Sequence, residues 1–131
     1  MYITLETDYA IRIMLSLARE KTRKNARWLS EQTGVTQRFT LKILYKLTEQ
    51  GLVRSYKGAQ GGYELARLAS ELNLCEVLEA MEGPYRFSRC LTDGTSCSCP
   101  DDGSCKANHI FRELSETVRD RLSEVTLQSL L

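Results

Sequence analysis

The sequence predicts a mainly α fold: a winged helix-turn-helix with a small β-hairpin wing and a long C-terminal dimerisation helix. Three observations predict it. Two short amphipathic segments flank a turn at Gly34, a basic hairpin pattern with Gly58, Gly61 and Gly62 follows, and a long apolar stripe closes the chain. At 131 residues and 42% hydrophobic, the chain suits a single domain with its own core. Residues 1–83 read as the winged unit, 84–104 as a cysteine-rich loop and 105–131 as the dimerisation helix.

The elements follow in order. Ile11, Met14, Leu15 and Ala18 recur at helical spacing, with Thr7 as N-cap and Asp8 favouring the positive end of the helix. Asn25 caps a second helix through Trp28 and Leu29, which Gly34 ends. Thr36 caps a third, with Phe39, Ile43, Leu44 and Leu47 inward and Gly51 at its close. Residues 52–56 and 63–66 read as two strands around a glycine-rich turn, a basic wing. Leu74, Val77, Leu78 and Met81 give a short helix between Asn73 and Gly83-Pro84. Residues 85–104 form a loop of a length that usually carries function. Phe111, Leu114, Val118, Leu122 and Val125 then form a heptad-like seam on a helix from Cys105 to the end, which favours a partner helix.

The net charge of +1 conceals an asymmetry. Residues 19–67 hold 11 Lys/Arg against 4 Asp/Glu, or +7, whereas the remainder holds 7 against 13, or −6. One basic face of that size suits a polyanion. Nothing in the sequence approaches a membrane span of roughly 18–20 apolar residues, and Met1-Tyr2-Ile3-Thr4 does not begin a secretory signal, so a cytoplasmic location is expected.

The N-terminal half of a recognition helix reaches base edges in the major groove. Here it offers Thr36, Gln37, Arg38, Thr40 and Lys42. Arg38 suits guanine and Gln37 suits adenine, the bidentate pairings that discriminate best. Lys42 and Lys46, one turn apart, suit phosphates, and Lys57, Gly58 and Gln60 at the wing tip suit a minor groove or backbone. The expected partner is therefore double-stranded DNA. The glycine-rich turn lacks the Lys-Ser/Thr ending of a P-loop and leads into a strand, so it is not a nucleotide cradle. His109, the only histidine, has no nucleophile to serve, and the chain reads as no enzyme.

Four of the five cysteines, Cys90, Cys97, Cys99 and Cys105, crowd into one stretch, while Cys75 lies on an amphipathic helix as a core residue. Clustered thiols in an intracellular chain favour a metal site over disulfides. The spacing matches no common zinc knuckle and suits the wider body of an iron–sulphur cluster, with zinc or a thiol switch as the alternatives.

The whole chain resembles the winged-helix iron–sulphur-type regulators of the IscR, NsrR and RirA group. The resemblance rests on Ile3-Thr4, Thr7-Asp8-Tyr9-Ala10, the Leu44–Leu47 stretch running into Gly51-Leu52-Val53-Arg54-Ser55, and Lys57-Gly58-Ala59-Gln60-Gly61-Gly62-Tyr63-Glu64-Leu65. Val77-Leu78-Glu79-Ala80-Met81-Glu82-Gly83 and the cysteine loop complete it. It implies a homodimeric transcriptional regulator, read as a repressor, on a palindromic operator. Each subunit would hold a 2Fe–2S or 4Fe–4S cluster that senses iron, redox state or nitric oxide. Cys90, Cys99 and Cys105 resemble the three cluster thiolates, with Cys97 as the other candidate for the middle ligand. The fourth ligand stays open among Asp8, which the resemblance implies would come from the partner subunit, His109 and Cys97. A reading of another class, a protein–protein adaptor on the same fold, also fits the sequence.

Overall fold

A computed structural model describes residues 2–92 and 105–131. The order is α1 (Leu5–Glu20), α2 (Ala26–Thr33), α3 (Gln37–Glu49), β1 (Val53–Tyr56), β2 (Gly62–Leu65), α4 (Leu74–Glu82) and α5 (Lys106–Glu124), with 3-10 turns at Arg89–Leu91 and Gln128–Leu130. No helix is long and apolar enough to cross a membrane, among the described residues.

Helix α1 is the centre of the core. Ala10, Ile13, Met14 and Leu17 are buried against α2, α3 and α4, and meet Leu29, Ile43, Leu44, Leu47 and Val77. The expected inward face is thus rotated: Met14 and Ala18 are buried, while Ile11 and Leu15 are half-buried at the rim. The rotation has a cause. A helix packed on three sides buries a wider arc than a single i, i+3, i+4 stripe marks. The N-cap is Thr4, whose Oγ1 accepts from Thr7 N at 3.3 Å. Thr7, expected as the cap, is instead buried one turn in, and its hydroxyl donates to Glu82 Oε1 at 2.6 Å.

Asn25 caps α2, and Gly34 ends it in the left-handed conformation with φ 73°. Thr36 caps α3. The buried stripe of α3 is Thr40, Ile43, Leu44 and Leu47. Phe39, expected inward, is 44% exposed and meets the Tyr9 ring edge-on, with centroids 6.4 Å apart. Thr40 takes the core place because it lies three residues before Ile43 and four before Leu44, on their side of the helix.

The wing pairs Val53 with Leu65 and Tyr56 with Gly62, antiparallel. Lys24, between α1 and α2, adds a third edge by exchanging hydrogen bonds with Tyr63 at 2.8 and 3.0 Å. This explains the glycine pair. A Cβ on Gly61 would stand 2.3 Å from the Tyr56 carbonyl oxygen, and one on Gly62 would stand 2.9 Å from that of Lys24. The Arg23 guanidinium lies over the Tyr56 ring at 3.4 Å, bracing the base of the wing.

Asn73 and Glu76 form a reciprocal capping box at the start of α4. Cys75 is buried there, as expected of a core thiol. Helix α5 does not run to the end of the chain. It stops at Glu124, and the last residues turn back: Val125 O accepts from Leu74 N, and Leu127 N donates to Leu72 O, both at 2.9 Å. Leu127 is fully buried in the core. The seam expected on this helix is therefore split. Phe111, Val118 and Leu122 are half-buried, Leu114 is exposed, and Val125 has left the helix.

Candidate functional site

The helix-turn-helix and the wing each present exposed polar groups. On α3, Gln37, Arg38 and Lys42 are exposed, as are Lys57, Gly58 and Gln60 at the wing turn. Thr36 is exposed at the start of α3, where its Oγ1 accepts from Phe39 N at 3.3 Å. Thr40 must be removed from the DNA-reading set, because it is 0% exposed and its hydroxyl has no partner among the described residues.

The two recognition-helix lysines are engaged within the chain. Lys42 Nζ pairs with Glu6, and that hydrogen bond is the main cause holding the Glu6 carboxyl below its ordinary range. Lys46 Nζ donates to the Met81 carbonyl at 2.5 Å. Lys46, expected at a phosphate, is thereby tied to the end of α4, because it lies on the flank of α3 that packs on that helix. Among the described residues Arg38, Arg54 and Lys57 have no carboxylate within 4.0 Å. Arg54 escaped the sequence reading. Its signal is strand alternation, since it follows buried Val53 and so faces outward.

The cysteine site is built on the Arg89–Leu91 turn and the start of α5. Cys105 caps α5, its sulphur accepting from Asn108 N at 3.4 Å. Asn108 also donates through Nδ2 to Cys90 Sγ at 3.4 Å, so one residue serves both sulphurs. Ser88 Oγ lies 3.3 Å from Cys90 Sγ. Hydrogen bonding with Ser88 and then with Asn108 holds the Cys90 thiol below its ordinary value, outweighing the opposing effect of burial. Among the described residues, the cysteines at 90 and 105 form no disulfide. Cys97 and Cys99 lie outside the described residues.

The candidate fourth ligands are placed differently from one another. Asp8 is on the first turns of α1, paired with Arg12 at 2.7 Å. His109 follows Asn108 but is exposed, and the side chain directed at Cys90 is that of Asn108. Among the described residues no three His, Cys, Asp or Glu side chains converge. The sequence reading missed Asn108. The i+3 spacing from Cys105 was its only signal, and a neutral amide does not announce itself as a site residue.

Below the site, α5 is fastened to α4. Arg119 holds Glu79 through Nε at 2.7 Å and a second nitrogen at 3.3 Å, and Tyr85 N donates to the same carboxylate at 3.0 Å. Ser115, buried on α5, accepts from Phe87 N at 2.8 Å, while the Phe87 and Phe111 rings lie 5.4 Å apart. The residues leading into Cys90 are thus anchored, Tyr85 to α4 and Phe87 to α5.

A helix-turn-helix with an outward basic face, followed by a glycine-tipped wing, defines a winged-helix DNA-binding protein. Comparison with known proteins narrows the class. The model of the Rrf2 family, described as an iron-dependent transcriptional regulator, matches residues 3–131, and the chain belongs to that family. It is 28% identical to the HTH-type transcriptional regulator NsrR of Oceanobacillus iheyensis, over 95% of this chain and 86% of that protein. Among solved structures, CymR, the global cysteine regulator of B. subtilis, superposes with a TM-score of 0.78 at 21% identity, covering 99% of this chain and 95% of CymR. IscR of T. potens superposes at 0.75 with 20% identity, covering 99% of this chain and 85% of IscR. The protein is a transcriptional regulator of the helix-turn-helix type and not an enzyme.

Proposed function

We propose that this chain is a homodimeric, cytoplasmic repressor whose hold on a palindromic DNA operator is set by an iron–sulphur cluster, either 2Fe–2S or 4Fe–4S. The observation that carries the reading is the pairing of Cys90 with Cys105 across Asn108. Soft thiolates at a helix N-terminus, with N–H groups directed at sulphur, fit such a group. Cys90, Cys105 and Cys99 are its thiolate ligands, Cys97 being the other candidate for the middle place, and the fourth ligand comes from Asp8, His109 or Cys97. When bound, the cluster supplies an iron centre that changes with oxidation, nitric oxide or iron supply.

The chain's own residues carry the effect. The segment bearing Cys90 leaves α4 directly, and the end of α4 is bonded to α3 through Lys46 and to α1 through Glu82. A change in the Cys90 turn therefore bears on the recognition helix through one packed element. In a dimer whose recognition helices meet successive major grooves about 34 Å apart, a small rotation alters the fit. Arg38 and Gln37 read bases, and Lys42, Arg54 and Lys57 meet phosphate.

A second reading, a thiol switch without a cluster, is favoured by the geometry alone: Asn108 brings the half-buried Cys90 and Cys105 sulphurs to one place without needing a metal. Oxygen-free isolation separates the two. The cluster reading expects a coloured protein carrying iron and sulphide in stoichiometric amount, lost on exchange of Cys90 or Cys105 for serine. A colourless, iron-free protein leaves the thiol switch.

A further inference from the structure

We infer that Leu41 reads the methyl group of a thymine in each operator half-site, an inference that rests on the DNA-binding reading above. The two flanks of α3 differ. Phe39, Lys42 and Lys46 turn toward α1 and α4, where they meet Tyr9, Glu6 and Met81. The other flank carries Gln37, Leu41 and Tyr45, with Arg38 along its outer edge, all exposed. Leu41 is 44% exposed and belongs neither to the buried core nor to the apolar rim packed on it.

A lone exposed leucine on an arbitrary surface needs no explanation. This one stands one turn after Gln37 and Arg38, within the part of the helix that faces base edges. The major-groove edge of DNA offers a side chain one apolar feature, the C5-methyl of thymine. Leucine has no donor or acceptor, so against a cytosine amino group it would strip water and return no hydrogen bond. It therefore selects in two ways: it covers a methyl, and it penalises the polar alternative. Arg38 and Gln37 supply the hydrogen-bonding half of the same readout.

The test starts from a random-sequence duplex pool, from which the 131-residue chain selects its own sites at fixed salt. Each thymine of the selected duplex is then replaced by uracil, which removes only the methyl group. The expected result is one thymine per half-site at which the exchange weakens wild-type binding by roughly three- to tenfold. In Leu41→Ala the same exchange has no effect, while the thermal midpoint stays near wild type because the side chain is outside the core. Wild-type binding indifferent to every uracil overturns the inference, and so does an undiminished uracil penalty in Leu41→Ala. A pool from which no sequence is enriched overturns the DNA-binding reading, and this inference falls with it.

Discussion

Lys46 Nζ donates to the carbonyl oxygen of Met81, joining the recognition helix to the last turn of α4. Terminal carbonyls of a helix lack intrahelical partners, and a lysine from a neighbour is one way to satisfy them. Next to it, Glu82 Oε1 accepts from Thr4 N, Thr4 Oγ1 and Thr7 Oγ1. Burial alone would raise the Glu82 carboxyl, but these bonds and the Lys46 charge together hold it below its ordinary value. Helices α1, α3 and α4 thus meet at one polar node, directly before the segment that carries Cys90. Lys46→Met keeps the apolar stem and removes the donor, so urea unfolding should show a loss of about 1 kcal/mol. The salt dependence of DNA binding should not change. A slope shallower by about 0.9 in log K against log salt would instead mark Lys46 as a phosphate contact.

Lys42 is different, because its partner Glu6 competes with DNA for the same ammonium. The Lys42 side chain is 62% exposed, so the pair can exchange for a phosphate. Glu6→Gln should strengthen operator binding by roughly two- to fivefold at low salt, and the gain should fade as salt rises. Equal affinity at every salt concentration would place Lys42 away from the backbone.

Thr40→Val separates the sequence reading of this position from the structural one. The buried hydroxyl has no partner, and removing it should stabilise the fold by about 1 kcal/mol in denaturant unfolding. Affinity for DNA should be unchanged. Weaker binding with undiminished stability would restore Thr40 to the reading face.

Most caps and turns were legible because they rest on local chemistry, although α1 is capped by Thr4 rather than Thr7. Asn25, Thr36 and Asn73 cap the helices expected of them, and Gly34 ends α2, since each contact lies within a few residues. Faces were less legible. Phe39 and Thr40 exchange roles because hydrophobicity alone ranks phenylalanine inward, whereas the position of α1 decides which side of α3 is covered. Long-range polar ties were invisible: neither Lys46 with Met81 nor Thr7 with Glu82 has a sequence signal. At the cysteine site, thiol clustering marked the segment, but the role of Asn108 needed the first turn of α5 in place.

The end of the chain follows the same lesson. An apolar stripe suggested one helix to the last residue, yet Leu127 is buried in the core of the winged unit. Leu127→Ala should therefore cost about 2–5 kcal/mol of stability by chemical denaturation. A loss below about 0.5 kcal/mol, ordinary for a surface position, would return these residues to the dimer helix.

On the proposed reading, a cluster held by Cys90, Cys105 and a thiol between them sets the strength of DNA binding. The most direct measurement compares operator affinity of oxygen-free, iron- and sulphide-loaded protein with that of the same preparation stripped of iron, at one salt concentration. The two affinities should differ by roughly tenfold or more, a typical coupling between two sites, with Cys90→Ser held at the stripped value under both conditions. Equal affinities in the two states, or a Cys90→Ser protein that still responds to loading, would contradict it.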